Sequence, residues 1–148
     1  MAAGGRRRLT HPLARAALFS LLAFVLLRHR SQGCPVSVAA IISNADTVEM
    51  PRLALQQAGF ESVTAHIVEI KRGLLDLPGF LQEHDPRAVI HDIPPPYDQN
   101  WEFLKLLRTT EAMRDRVVVV TTTHKGHLEK LVGPSDAIEI VGKPERTR

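Results

Sequence analysis

The chain has 148 residues, with 19 Lys and Arg, 16 Asp and Glu, and one cysteine, Cys34. That length suits one domain with one core, and a lone cysteine excludes an internal disulfide and a multi-cysteine metal site. The formal charge of +3 is uneven: residues 1–44 hold six arginines and no acid, so residues 45–148 carry all 16 acids against 13 basic residues and offer no case for nucleic-acid binding.

Residues 1–34 read differently from the rest. Arg6, Arg7, Arg8 and Arg15 precede an apolar run at 16–27, which Arg28 and Arg30 close. As a helix, such a run covers roughly 18 Å, short of a hydrocarbon core of about 30 Å. Leu13 and Ala14 extend it only if Arg15 snorkels. Three readings stay open: a disordered segment or wrongly assigned start (the true start then at a valine such as Val36 or Val38), a membrane contact through residues 13–27, and an export signal. The basic residues after the run argue against translocation. Residues 35–148 form the expected domain, cytoplasmic on the main reading and membrane-anchored on the alternative.

From Pro35 onward, strand-like and helix-like runs alternate. Residues 36–42 are short, apolar and β-branched, as in a buried parallel strand. Asp46 or Thr47 can cap a helix that ends at Gly59. Residues 62–70 predict the second strand. A helical stretch at 73–84 is interrupted by Pro78 and Gly79, so it is expected to start late. Residues 87–91 predict the third strand, and Pro94, Pro95 and Pro96 a non-helical loop. The spacing then predicts a helix over 100–110, a strand over 117–120, a short helix over 124–132 stopped by Gly133 and Pro134, and a strand over 137–141. This alternation implies an α/β fold: a five-stranded parallel sheet with helices on both faces. The order 2-1-3-4-5 is favoured among the few topologies that right-handed crossovers allow.

In such sheets ligands gather beyond the carboxyl ends of the strands. Three polar elements stand there: Asp92 after Ala88–His91, Thr121 to Thr123 after Val117–Val120, and Lys143 with Pro144 after the last strand. Each alone has a plain structural explanation: Asp92 as a turn residue, the threonines as the polar tail of a strand, Lys143 as an exposed lysine. Together they offer one carboxylate, hydroxyls and an ammonium at one rim. His91, one residue from Asp92, should face the other side of the sheet. His124 and His127 lie three apart with no carboxylate to join them. Trp101 and Phe103 read as packing residues.

Over roughly residues 36–144 these elements resemble the receiver domain of two-component response regulators. Val89, Ile90, His91 and Asp92 with the following prolines resemble the family's phosphoacceptor aspartate and its Pro-containing loop. Val117–Val120 with Thr121 and Thr122 resemble the fourth strand ending in Thr or Ser. Ile140 through Lys143 and Pro144 resemble the Lys-Pro pair that closes the fifth strand. The resemblance implies that Asp92 accepts a phosphoryl group, that Thr121 or Thr122 and Lys143 sense it, and that a histidine kinase or phosphotransfer protein is the partner. It also implies a Mg²⁺ site. A carboxylate is a poor nucleophile toward a phosphoryl donor unless a cation screens the charge of both.

Two departures qualify this. The first strand of the family ends in two adjacent acids, where this chain has Ser43 and Asn44, with Asp46 close behind. Asp46, Asn44 and Asp92 then make a weak Mg²⁺ site or none. The family also carries a fifth helix after Lys-Pro, expected to be missing or truncated here, which would leave an apolar patch exposed on one sheet face unless a partner or the N-terminal apolar run covers it. The expected function is a stand-alone, non-enzymatic receiver domain in phosphorelay signalling. The alternative is a pseudo-receiver, an interaction module that is not phosphorylated. A small flavodoxin-like enzyme or cofactor binder is a third, weaker option.

Overall fold

The computed structural model describes residues 36–43, 49–134 and 138–142. In chain order these form β1 (Ser37–Ile42), α1 (Glu49–Gln57), β2 (Glu61–His66), α2 (Ile67–Lys71), α3 (Leu77–His84), β3 (Ala88–Asp92), α4 (Tyr97–Arg108), a 3₁₀ turn (Glu111–Met113), β4 (Val117–Thr122), α5 (Lys125–Val132) and β5 (Ile138–Gly142). The strands pair in parallel in the order β2-β1-β3-β4-β5. Residues 1–34, the Asn44 and Asp46 positions, Lys143 and Pro144, and the question of a further helix all lie outside the described residues.

Strand alternation sorts the side chains into two faces. Ala39, Ile41, Val89, Val118 and Val120 pack with Leu77, Leu81, Trp101, Leu104, Leu107, Met113 and Leu128 into one core, so α3, α4 and α5 cover that face. Val38, Ala88, Ile90 and Val119 pack with Leu55 of α1 on the other face. The described residues on this second face are buried. Ala40 and Ile42 are each 4% exposed and Ile90 and Val119 each 3%. The β-branched, two-sided apolar strands are what this double burial requires.

Three local outcomes refine the periodicity. The second strand stops at His66 instead of reaching residue 70, and 67–71 turn into a short helix. Ile67 and Ile70, three apart, both pack on the α3–α4–α5 core, and that tertiary contact outweighs their β propensity. The helical stretch at 73–84 starts late, as expected, at Leu77, with Pro78 in its first turn, where a missing N–H costs nothing. Gly79 fits there because a β-carbon would stand 2.6 Å from Asp76 Oδ2. Finally, β4 runs on through Thr121 and Thr122, so both threonines are strand residues.

One side chain ties the far end of this architecture together. Arg116, just before β4, donates from Nε to Ala112 O at 2.7 Å and from Nη2 to Leu81 O at 3.1 Å. Its Nη1 meets Pro86 O and, at 3.2 Å, Asp85 Oδ1. One guanidinium thus joins the end of α3, the entry to β3 and the 3₁₀ turn, using the fork geometry that lysine lacks. Among the described residues, no helix is long and apolar enough to cross a membrane. Arg116→Ala is expected to lower stability by about 2–3 kcal/mol, because hydrogen bonds from a charged donor to several carbonyls are lost at once. Urea unfolding measures this, and Arg116→Lys should recover only a minor part.

Candidate functional site

The β3–β4 pairing builds the site. Asp92 is in register with Thr121, so the two side chains share a face at the carboxyl ends of adjacent central strands. The pairing continues one step further, with Ile93 N–H donating to Thr121 O at 2.8 Å. Asp92 is 3% exposed and Thr121 8%. Thr121 Oγ1 donates to Asp92 Oδ1 at 3.3 Å, and Ser43 Oγ, at the end of β1, donates to Asp92 Oδ2. A carboxylate held in this way by hydroxyls from the strands on either side has its orientation set before any ligand arrives.

Thr122 is not part of this group. As the next residue of β4 it lies on the opposite face with His91 and Val120, is fully buried, and its hydroxyl has no partner among the described residues. Thr123 is exposed beyond the strand, within 3.2 Å of the Tyr97 hydroxyl. Gly142, the last described residue of β5, pairs with Thr122, so β5 ends at the same rim as Asp92. Lys143, the Asn44 and Asp46 ligand candidates and the Lys143–Pro144 bond lie outside the described residues. Of the expected site residues, the structure brings together Asp92 and Thr121.

Two contributors were not singled out from the sequence. Ser43 was matched to the family's acidic pair but given no role of its own; its place at the end of β1 was the available signal. Asn100, 6% exposed in the first turn of α4, donates from Nδ2 to Pro94 O at 2.8 Å and Pro96 O at 3.1 Å. It accepts from Lys71 Nζ at 2.7 Å, and that ammonium also sits 5.0 Å from the centre of the Phe103 ring. Nothing in the local pattern marked Asn100. A polar residue four after a proline loop is unremarkable until the loop folds back on it. The Pro95–Pro96 bond in this loop is cis.

His91 is fully buried against the α4 side, with its ring 6.4 Å from that of Phe103, and neither ring nitrogen has a partner among the described residues. Burial pushes it from 6.5 down to about 4, the Asp92 carboxylate opposing the shift and the Lys71 ammonium adding to it. The imidazole is therefore neutral near pH 7. His124 and His127 instead flank the exposed start of α5, their rings 6.1 Å and 5.1 Å from that of Tyr97. The described residues include no cluster of three metal-ligating His, Cys, Asp or Glu side chains. A surface cavity bounded by Arg52, Phe60, Glu61 and His84 is lined by none of the expected site residues.

Because the folded state holds His91 below its unfolded value, the unfolded chain binds the extra proton between those two values. Protonation of this ring costs the folded state nothing above about pH 6.5, and the cost grows as pH falls to about 4. The total is about 3 kcal/mol. His91→Leu is expected to equal or exceed the parent in stability at pH 7 and to lose less on acidification. Urea midpoints at pH 7 and pH 4.5 measure the difference; parallel losses in the two proteins would contradict it.

No protein-family model and no curated protein sequence matches this chain. Among solved structures, the chemotaxis protein CheY4 of Vibrio cholerae is similar over 76% of this chain and 90% of its own, at 23% identity and a TM-score of 0.54. A response regulator protein from Burkholderia multivorans is similar over 76% of this chain and 86% of its own, at 23% identity and a TM-score of 0.45. The likeness is one of fold: the chain shares its parallel α/β architecture with the Vibrio protein.

Proposed function

We propose that the chain is a receiver-type signalling module that accepts a phosphoryl group on Asp92 from a histidine kinase or phosphotransfer protein. The observation that carries this reading is the placement of the Asp92 carboxylate at the end of the central strand with Thr121 Oγ1 of the next strand on its Oδ1. A carboxylate oxygen attacks the phosphorus of a phosphohistidine or acyl phosphate, the P–N or P–O bond breaks, and the imidazole or carboxylate leaves. Thr121 is the hydroxyl that can follow the new phosphoryl oxygens and pass their arrival to the surface of β4. The module itself turns over no small substrate, and the likeness of its fold to a chemotaxis protein supports a signalling role.

The donors around Asp92 are hard oxygens, the type Mg²⁺ prefers, but the described set holds a single carboxylate, so they fit a weakly held ion. When bound, Mg²⁺ would screen charge between the carboxylate and the phosphoryl donor.

A second reading, the pseudo-receiver, is favoured by Ser43. Its hydroxyl occupies Asp92 Oδ2 where the family has acids, and a carboxylate 3% exposed and bonded on both oxygens is well satisfied without modification. In that case the chain is a constitutive interaction module of the same fold.

Incubation with acetyl phosphate and Mg²⁺ distinguishes the two. On the first reading, intact-protein mass spectrometry records a phosphoryl adduct that is lost in Asp92→Asn and labelled more slowly in Thr121→Ala. Absence of any adduct across a Mg²⁺ titration leaves the pseudo-receiver. Ser43→Asp should tighten Mg²⁺ binding at least tenfold, read by Mn²⁺ or Mg²⁺ titration calorimetry, because a second carboxylate adds a charged oxygen ligand to the first.

A further inference from the structure

The loop that leaves Asp92 has few ways to hold itself. Pro94, Pro95 and Pro96 have no N–H to donate, so this stretch can be tied only through its carbonyls. Asn100 takes two of them: one hydrogen of Nδ2 goes to Pro94 O at 2.8 Å and the other to Pro96 O at 3.1 Å. This requires the amide to present nitrogen, not oxygen, toward the loop. If the amide were turned over, its oxygen would face two carbonyl oxygens.

The selector is on another element. Lys71, the last residue of α2, donates from Nζ to Asn100 Oδ1 at 2.7 Å, and an ammonium can only donate. The Phe103 ring, 5.0 Å from Nζ, gives the charge a second point of rest. Asn100 is 6% exposed, so its polar atoms depend on these partners. At its start the loop is joined to β4 by the Ile93 N–H to Thr121 O bond, next to the Asp92–Thr121 pair.

We propose that Lys71 is a positioning residue. By fixing which end of the Asn100 amide faces the proline loop, it holds residues 93–96 in place and sets the approach of a phosphoryl donor to Asp92. The effect on phosphoryl transfer rests on the proposed phosphoacceptor role, whereas the hold on the loop does not. The residue acts through Asn100 and touches no reacting atom.

The test uses the full chain with Lys71→Met, which keeps an unbranched side chain and removes the charge, and Lys71→Arg, which restores a donor. Amide hydrogen exchange is followed at Ile93 and Asn100 and, as a control, across the β1–β2 ladder; acetyl phosphate labelling of Asp92 is followed in parallel. The expected result is several-fold faster exchange at Ile93 and Asn100 in Lys71→Met, unchanged exchange in β1 and β2, and recovery in Lys71→Arg. The labelling rate should change several-fold in Lys71→Met and return in Lys71→Arg. Parental exchange at Ile93 in Lys71→Met, or an equal rise over the whole sheet, overturns the proposal. So does an altered loop with an unaltered labelling rate. If the parent protein takes no label, the phosphoacceptor reading fails, and with it the effect on donor approach, while the exchange data still decide whether Lys71 holds the loop.

Discussion

The in-register pairing of β3 with β4 is the constraint on which the site depends. Asp92 opposite Thr121 puts a carboxylate and a hydroxyl on one face of two neighbouring strands, and it puts His91 and Thr122 on the other. A slip of one residue would exchange these pairs, sending Asp92 into the core beneath α4 and His91 to the rim. The apolar residues on both faces of β3 and β4 hold the register, since each has a buried partner layer to meet. Core packing and site geometry are therefore consequences of a single alignment.

The polar atoms near that alignment are treated unequally. Asp92 is served by Ser43 and Thr121, and Asn100 has every polar atom of its amide used. His91 and Thr122, buried one layer away, have unpartnered side-chain atoms among the described residues. A buried polar group without a partner lowers stability, and for His91 it also keeps the ring neutral. The strand ends thus combine a well-satisfied carboxylate on one face with destabilising polar groups on the other. Natural sequences tolerate such conflicts mostly where function has a claim on the residues.

Ser43 is the residue on which the two functional readings divide. A serine at the end of β1 orients Asp92 by a hydrogen bond, whereas an acid there would repel it and require a cation between them. The substitution trades charge for a neutral donor. It makes the carboxylate comfortable in the absence of metal and weakens the case for tight Mg²⁺ binding. The fold is indifferent to the choice, because Ser43 lies past the last paired residue of β1 and takes no part in the ladder.

Much of the architecture was legible in the chain itself. The apolar, β-branched runs separated by helical spacing implied a parallel α/β sheet, and the order β2-β1-β3-β4 follows. Asp92 at the end of such a run was visible because polarity changes abruptly there. Local pattern could not decide which way residues 67–71 would go, since Ile67 and Ile70 suit a strand or a helix and only their burial against the core chose the helix. It could not separate Thr121 from Thr122, because the strand's end, and so each residue's face, depends on pairing with β3. Nor could it foresee Lys71 reaching Asn100, or Arg116 reaching the end of α3, because those contacts span 29 to 35 residues of chain. Burial periodicity is written locally in a sequence, whereas hydrogen-bond partners at long range exist only once the chain has closed on itself.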